Sequence, residues 1–132
     1  MVYRKIRRYK YKLIKDEVFV LDDNIGHKFE NEFFKIFYDS IIVKSGYAWD
    51  GASGFTIDTK NSMRASLIHD VFYQCLREEI LPLSLKEYAD SLFKKILIQD
   101  GMNKIRANIW YIAVKRFGEN SVKPSNFKLV AP

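Results

Sequence analysis

Residues 62–76 read SMRASLIHDVFYQCL, and this stretch decides the fold of the chain. Its apolar side chains recur with the spacing of one helix face, and Ser62 can cap the start of the helix. The predicted apolar stripe consists of Ala65, Ile68, Phe72, Cys75 and Leu76. No earlier part of the chain has this period, so the sequence predicts a change from β structure to α structure at Ser62.

Two further helices are predicted downstream. The first begins at SLKE, residues 84–87, which has the pattern of a capping box, and it ends at Gly101. Its predicted apolar face consists of Leu85, Tyr88, Ala89, Leu92, Phe93 and Ile96. The other is predicted over residues 103–117 and stops at Gly118. Its predicted apolar face consists of Ile105, Ile109, Ile112 and Ala113, and its aromatic residues Trp110, Tyr111 and Phe117 are most simply core.

The chain upstream of Ser62 has the composition of β structure. Aromatic and β-branched residues recur from Tyr3 to Leu21, and two short β-prone runs, residues 33–37 and 41–44, are joined by a turn-like tripeptide. This pattern predicts a small antiparallel sheet. Three glycines without a sustained period in GYAWDGASGFTID, residues 46–58, predict a structured loop.

The expected fold class is α+β, with the small antiparallel sheet packed on a three-helix unit. Its predicted parts are residues 1–45, mainly β, residues 46–61, the glycine-rich loop, residues 62–118, the three helices, and residues 119–132, a tail. A chain of 132 residues has the size of one domain, so a single domain over residues 1–132 is expected.

Composition excludes several classes of protein. With 48% hydrophobic and 29% charged residues, the chain is globular and not disordered. Its apolar runs are far shorter than the roughly 18 to 20 residues that span a bilayer, so a transmembrane protein is excluded. The N-terminal residues lack the apolar segment of a signal peptide, so secretion by that route is not expected. The single cysteine, Cys75, cannot form an intramolecular disulfide and agrees with a reducing compartment.

The formal net charge of +6 is concentrated at one end of the chain. Seven of the 22 basic residues lie in the first 15 positions, which contain no acidic residue. Interleaved with tyrosines, such a run can bind nucleic-acid phosphates or anionic lipid head groups. The predicted contacts are Arg7, Arg8, Lys10 and Lys12. The alternative is that these cations lie along an exposed strand and prevent edge-to-edge aggregation.

The clearest candidates for chemistry are on the first two predicted helices. His69 and Tyr73 are one turn apart and share the border of the apolar stripe, and Asp90 has a similar position on the next helix. If these helices pack antiparallel, Asp90 can accept a hydrogen bond from His69, fix its tautomer and stabilise its protonated form. That is the arrangement of a general base with an orienting carboxylate. Asp70 points elsewhere and can meet a hard cation such as calcium together with loop carbonyls.

These residues also have simpler explanations. A histidine at the border of a core is more often a hydrogen-bonded structural residue than a base, and Asp90 has Lys94 four positions later, the spacing of an exposed ion pair. Zinc is not expected, because the chain holds two histidines and one cysteine, and helix neighbours are about 100° apart. Ser53 lacks the context of a nucleophile elbow, so a serine hydrolase is not expected.

The motifs between residues 40 and 118 resemble an uncharacterised domain family of tailed bacteriophages and prophage regions. They are GYAWDGAS from Gly46, HDxxY from His69, ADxxF from Ala89, and the later Ala107, Tyr111, Ala113-Val114 and Phe117-Gly118. The resemblance implies a phage origin and carries no established activity. It suggests a virion-associated structural or accessory component, located in the phage particle or the host cytoplasm, with other virion proteins as partners.

The pair of motifs HDxxY and ADxxF is also similar to phospholipase A2-like domains, including the short ones of parvovirus capsids. This resemblance implies that His69 activates water, that Asp90 orients His69 with help from Tyr73, and that Asp70 binds calcium. The loop, through Gly51, is the expected source of the remaining calcium ligands.

Two hypotheses about function follow. In the first, the cluster of His69, Tyr73 and Asp90 is a structural polar network, with Trp49, Asp50 and Ser53 of the loop beside it, and the protein works by binding neighbours. In the second, the protein is a calcium-assisted ester hydrolase that acts on membrane lipid. The sequence leaves open whether the protein is an enzyme.

Overall fold

A computed structural model describes residues 1–7, 10–50 and 60–118, apart from the side chain of Phe117. The chain divides into two compact units, Met1–Gly51 and Ala52–Pro132. The described strands belong to the first unit and the described helices to the second, which confirms the predicted α+β class. None of the described helices combines the length and the apolar character needed to cross a membrane.

The first unit contains two antiparallel sheets where the sequence predicted one. The strands are β1 (Tyr3–Arg7), β2 (Lys10–Leu13), β3 (Glu17–Val20), β4 (Lys28–Glu30), β5 (Phe34–Phe37), β6 (Ser40–Val43) and β7 (Ala48–Trp49). The strand order is β1-β2-β7 in one sheet and β3-β6-β5-β4 in the other. The prediction of a single sheet is wrong because the segment up to Leu21 contains three strands, of which β1 and β2 pair with each other and β3 pairs with β6.

The predicted hairpin is present as β5 and β6, joined at Tyr38, which has a positive φ of 58°. Such a conformation at a two-residue connection matches the twist of the flanking strands. Alternate side chains of these strands are buried, as expected for a sheet with one face on a core. The buried members are Phe34, Ile36, Ile41 and Val43.

Part of the predicted loop is a strand. Ala48 pairs with Lys12 and Trp49 pairs with Tyr11. Trp49 is 2% exposed, and its ring centroid lies 5.7 Å from that of Tyr11 and 6.0 Å from that of Tyr3. The rest of the predicted loop, residues 51–59, and the predicted tail, residues 119–132, lie outside the described residues.

The second unit contains α1 (Met63–Arg77), a short 3-10 turn (Leu83–Leu85), α2 (Lys86–Gln99) and α3 (Lys104–Phe117). The apolar stripe predicted for α1 is buried throughout. The predicted end of α2 is confirmed, because Gly101 adopts the left-handed conformation with φ 103° that helix ends favour.

The predicted helix starts are only partly correct. Ser62 precedes α1 but its side chain makes no capping hydrogen bond, and Ser84 lies in the 3-10 turn, so that α2 begins at Lys86. Asn103 is the side chain that caps a helix, because its Oδ1 accepts hydrogen bonds from the backbone N–H groups of Ile105 and Arg106 at 2.8 and 3.3 Å.

α3 does not bury the predicted isoleucine face, whereas the core position predicted for Trp110 is confirmed. The exposed fractions are 74% at Ile105, 60% at Ile109 and 42% at Ile112. The buried residues of α3 are Ala107, Trp110 and Val114. The ring of Trp110 stacks on Phe93 of α2, with centroids 6.4 Å apart, and this contact between two large aromatic side chains selects the opposite face from the isoleucines.

Candidate functional site: the buried His69 cluster

Asp90 is the centre of a buried polar cluster that we call the His69 cluster: His69, Tyr73, Lys86 and Asp90. Asp90 lies on α2, and its side chain is fully buried. Its Oδ1 is 2.9 Å from His69 Nε2 and accepts a hydrogen bond from the Tyr73 hydroxyl at 2.6 Å. Its Oδ2 accepts a hydrogen bond from Lys86 Nζ at 2.8 Å. The contact between His69 and Asp90 was predicted from the sequence.

Helical spacing explains how four side chains converge. His69 and Tyr73 are four residues apart on α1, so their rings lie one above the other with centroids 4.0 Å apart. Lys86 and Asp90 are four residues apart on α2, which is the spacing of an ion pair within a helix. Phe93, one turn after Asp90, places its ring 4.9 Å from the His69 ring and covers it.

The His69 cluster also reaches α3. The Tyr73 hydroxyl lies 3.4 Å from the backbone oxygen of Val114, and Lys86 Nζ lies 3.3 Å from the backbone oxygen of Lys115. These carbonyls belong to the last turn of α3, where the helix dipole favours a cation. Gly118, directly after α3, is packed so closely that a Cβ there would collide with Tyr73 Oη and the Val114 oxygen. The cluster therefore connects all three helices.

Asp90 is ionised in the folded protein. Burial by itself would raise its pKa, but the hydrogen bonds from His69, Lys86 and Tyr73 together outweigh burial and hold the pKa below the usual aspartate value. An ionised carboxylate can only accept hydrogen bonds. The proton shared with Asp90 is therefore on His69 Nε2, and Nδ1 is the unprotonated nitrogen of a neutral imidazole.

His69 stays neutral, although Asp90 raises its pKa in the expected direction. Burial lowers the pKa of His69 more than the hydrogen bond and charge of Asp90 raise it, and the positive charge of Lys86 lowers it further. Lys86 already balances the charge of Asp90, so a second cation is not needed. Burial and the bond to Asp90 raise the pKa of Tyr73, which therefore remains a hydrogen-bond donor.

The chemistry that this arrangement allows is proton transfer at His69. A neutral histidine of fixed tautomer, held by a carboxylate, can accept a proton at Nδ1. His69 is 8% exposed, and within the described residues Nδ1 has no hydrogen-bond partner. Cys75 on the same helix is not a nucleophile, because burial raises the pKa of its thiol to about 12.

Lys86 was missed by the sequence analysis, which proposed Lys94 as the partner of Asp90. Both lysines are four positions from Asp90, so spacing alone does not separate them. Lys94 Nζ instead lies 3.1 Å from Asn108 Oδ1 and 5.5 Å from the ring centroid of Tyr111. Lys86 differs from Lys94 because the terminal carbonyls of α3 lie beside Lys86. This proximity arises only in the folded unit.

The structure brings together only some of the other predicted site residues. Asp70 is half-buried next to His69 on α1. Asp50 belongs to the first unit, where its Oδ1 lies 3.4 Å from Lys10 Nζ, and Trp49 packs there on the tyrosines of β1 and β2. Gly51 and Ser53 lie outside the described residues. In the part of the chain that is described, no three His, Cys, Asp or Glu side chains are grouped to hold a metal ion, and the calcium site remains a prediction.

The predicted anion-binding residues lie on the first sheet. Arg7 is at the end of β1, and Lys10 and Lys12 are on β2. Arg8 falls outside the described residues. Because β1 is at the edge of its sheet, both interpretations of these cations, edge protection and anion binding, agree with their position.

Comparison with known proteins places most of this structure in one family. Residues 29–114, from β4 into α3, match the model of a family described as protein of unknown function (DUF1353). The match covers all four side chains of the His69 cluster and agrees with the expectation of an uncharacterised family. No curated protein and no solved structure matches the chain. The chain therefore belongs to the DUF1353 family of proteins of unknown function.

Proposed function

We propose that this protein is a phage-encoded accessory component that works by binding other virion proteins, and that the His69 cluster stabilises its helical unit without catalysing a reaction. The observation that carries the structural role is the complete burial of Asp90 with three donors on its two oxygens. The phage context is supported by the sequence motifs between residues 40 and 118.

The cost of burying a carboxylate favours the structural role of the His69 cluster. A buried carboxylate is costly unless it is paired and fully hydrogen-bonded, and here Lys86 supplies the charge while His69 and Tyr73 supply further donors. A network that satisfies both oxygens of the buried carboxylate and connects three helices rigidifies the unit. A catalytic base, in contrast, must come within about 2.6–3.2 Å of a substrate proton, and most of the His69 surface is covered by protein.

The test of the binding function is made in particles of the phage or prophage that encodes the chain. Particles purified on a density gradient are expected to contain the protein when examined by mass spectrometry. A His69→Gln variant that folds at reduced temperature is expected to enter particles as the wild type does, with His27→Gln as the matched control. Absence of the wild-type protein from infectious particles would contradict the proposal.

A calcium-assisted ester hydrolase is the second candidate, and one specific observation favours it. Asp90 contacts both His69 Nε2 and the Tyr73 hydroxyl, as the similarity to phospholipase A2-like domains implied. In this scheme the neutral His69 takes a proton from water at Nδ1 while the water oxygen attacks the ester carbonyl, and protonated His69 then gives that proton to the alkoxide oxygen as the ester C–O bond breaks. Asp70 would contribute an oxygen ligand to the cation, which would polarise that carbonyl.

Release of fatty acid and lysolipid from mixed liposomes separates the two candidates. Wild type, His69→Ala and Asp70→Asn are compared with calcium and with a chelator, and folding of each variant is checked by circular dichroism. No release by any of them is the result expected from the structural role. Calcium-dependent release that disappears in a folded His69→Ala protein would overturn the structural role and assign the base.

A further inference from the structure

We propose that β1 and β2 form a ribbon that binds the phosphate backbone of double-stranded DNA through the cationic face: Arg4, Arg7, Lys10 and Lys12. This inference does not depend on the proposed function. Residues 1–28, which contain the ribbon, lie outside the range that matches the family model.

The register of the ribbon places the four cations on one side. Arg4 lies opposite Lys12, and Arg7 lies opposite Lys10. Directly opposed residues of antiparallel strands point to the same side, as do residues two apart on one strand. The register shifts between Lys5 and Arg7. Without that shift Ile6 would lie opposite Lys10, so the irregularity turns Arg7 to the same side as the other three cations.

The cationic face is under electrostatic repulsion that an anion would relieve. Like charges directly opposite each other destabilise a sheet, and the ribbon contains two such pairs. Lys10 has a weak ion pair with Asp50, at 3.4 Å, in which both side chains are partly exposed. Arg4, Arg7 and Lys12 have no acidic partner among the residues that the structure describes. Three cations are therefore available to an external anion.

The shape of the ribbon favours a duplex as the anion. Among the residues that the structure describes, β7 pairs with Tyr11 and Lys12 only, so the described end of the ribbon that carries Arg7 and Lys10 is two-stranded. The major groove of DNA admits a two-stranded β-ribbon. Cations two residues apart on a β-strand are about 6.8 Å apart, which matches two charge spacings of one DNA strand, each about 3.4 Å when projected on the helix axis. A fluid membrane offers no fixed spacing of charges.

Single-stranded nucleic acid fits this ribbon less well. Proteins that bind it use exposed aromatic rings on which bases stack. The aromatic residues of this sheet pack on one another instead, with Tyr3 at 5.8 Å from Tyr11 and at 6.0 Å from Trp49. Tyr11 and Trp49 are buried. Within the described residues, the cationic face therefore offers charge without exposed aromatic rings on which bases could stack.

The test measures binding of the whole chain to a fluorescently labelled 20-base-pair duplex by anisotropy between 50 and 200 mM NaCl. If the three available cations contact phosphates, the plot of log K against log salt is expected to have a slope of about −2.7. The double variant Arg4→Gln/Arg7→Gln is expected to reduce the magnitude of this slope by about 1.8. Lys60→Gln/Lys104→Gln removes the same charge from exposed positions of the second unit and is expected to leave the slope unchanged.

Asp50→Asn is a further test variant, for which tighter binding is expected. Misfolding would not produce tighter binding. Removal of this carboxylate frees Lys10, so the variant is expected to bind the duplex severalfold more tightly than wild type at 50 mM NaCl. An equal loss in the two double variants, or no tightening in Asp50→Asn, would overturn the proposal. Binding to phosphatidylserine vesicles or to single-stranded DNA as tightly as to the duplex would overturn it as well.

Discussion

Lys86 is the residue on which the charge balance of the His69 cluster depends. Its ammonium group neutralises the buried Asp90 carboxylate while its own side chain remains 18% exposed. Lys86→Met would leave a buried charge without a cation, and we expect it to lower the free energy of unfolding by roughly 3 kcal/mol at pH 8. Urea denaturation measures this loss. Lys94→Met is the matched control, and its effect is expected to stay below about 0.5 kcal/mol.

The same variant has a second signature in its pH dependence. Without Lys86 the pKa of His69 should rise, because the protonated ring then becomes the counter-charge of Asp90. The difference in stability between Lys86→Met and wild type is therefore expected to shrink as pH falls from 8 to 5.5. A difference that stays constant over this range would show that Lys86 does not act through charge.

His69 itself makes the wild type sensitive to mild acid. Because burial lowers its pKa in the folded state, the unfolded chain takes up the proton first as pH falls below the usual value of 6.5. The stabilising contribution is complete above that pH and is lost below it, with a slope of at most about 1.4 kcal/mol per pH unit. Urea midpoints from pH 8 to 5 should show this slope in wild type and His27→Gln, but not in His69→Gln.

Truncation of the same histidine removes a donor from the cluster. We expect His69→Ala to cost about 1–3 kcal/mol of unfolding free energy, because a buried carboxylate loses a hydrogen bond and Phe93 loses a neighbour. Chemical denaturation at pH 8 is the measurement. An unchanged midpoint in this variant would mean that the cluster does not stabilise the helices.

At the level of elements, the start of α3 depends on one side chain. Asn103 satisfies two backbone N–H groups that the helix itself leaves unpaired. Asn103→Ala is expected to cost about 1 kcal/mol, whereas Asn103→Asp retains the acceptor and is expected to be nearly neutral. Ser84→Ala is the comparison at a predicted cap that makes no capping bond, and its urea midpoint should match that of wild type.

The end of α3 depends on the absence of a side chain. Gly118→Ala would push a methyl group against Tyr73 Oη and the Val114 oxygen, and we expect a cost of about 1–3 kcal/mol. Tyr73→Phe removes one of the three colliding atoms and leaves the ring carbon Cε2 of residue 73 and the Val114 oxygen. In a double-mutant cycle, Gly118→Ala should therefore cost less in the Tyr73→Phe background than in wild type. Strict additivity would contradict this contact.

Sequence patterns predicted the elements whose spacing is local. The stripe of α1 and the contact between His69 and Asp90 follow from helical periodicity and a short connection between helices. The patterns failed where a non-local contact decided the outcome. Trp49 pairs with Tyr11, which lies 38 residues earlier in the chain, and the stacking of Trp110 on Phe93 decides which face of α3 is buried. Lys86 could be identified as the partner of Asp90 only when the structure showed the end of α3 beside it.

For the whole molecule, the distribution of charge within the first unit matters more than its net value. Residues 1–15 hold seven cations and no acid, whereas residues 16–51 hold three cations and eight acids. Added salt screens the repulsion between the paired cations of β1 and β2. We therefore expect the thermal midpoint to rise modestly from 0.02 to 0.3 M NaCl, and to rise less in Arg4→Gln/Arg7→Gln. An equal rise of the thermal midpoint in both proteins would argue against repulsion between the paired cations as its cause.

The two tryptophans are distributed one to each compact unit, and both are buried, with Trp49 2% and Trp110 3% exposed. Their fluorescence gives each unit its own optical reporter. In Trp110→Phe the emission shift follows the strands alone, and in Trp49→Phe it follows the helices alone. Coincident urea curves from the two proteins would identify one cooperative folding unit, in line with the expected single domain, and separated curves would identify two.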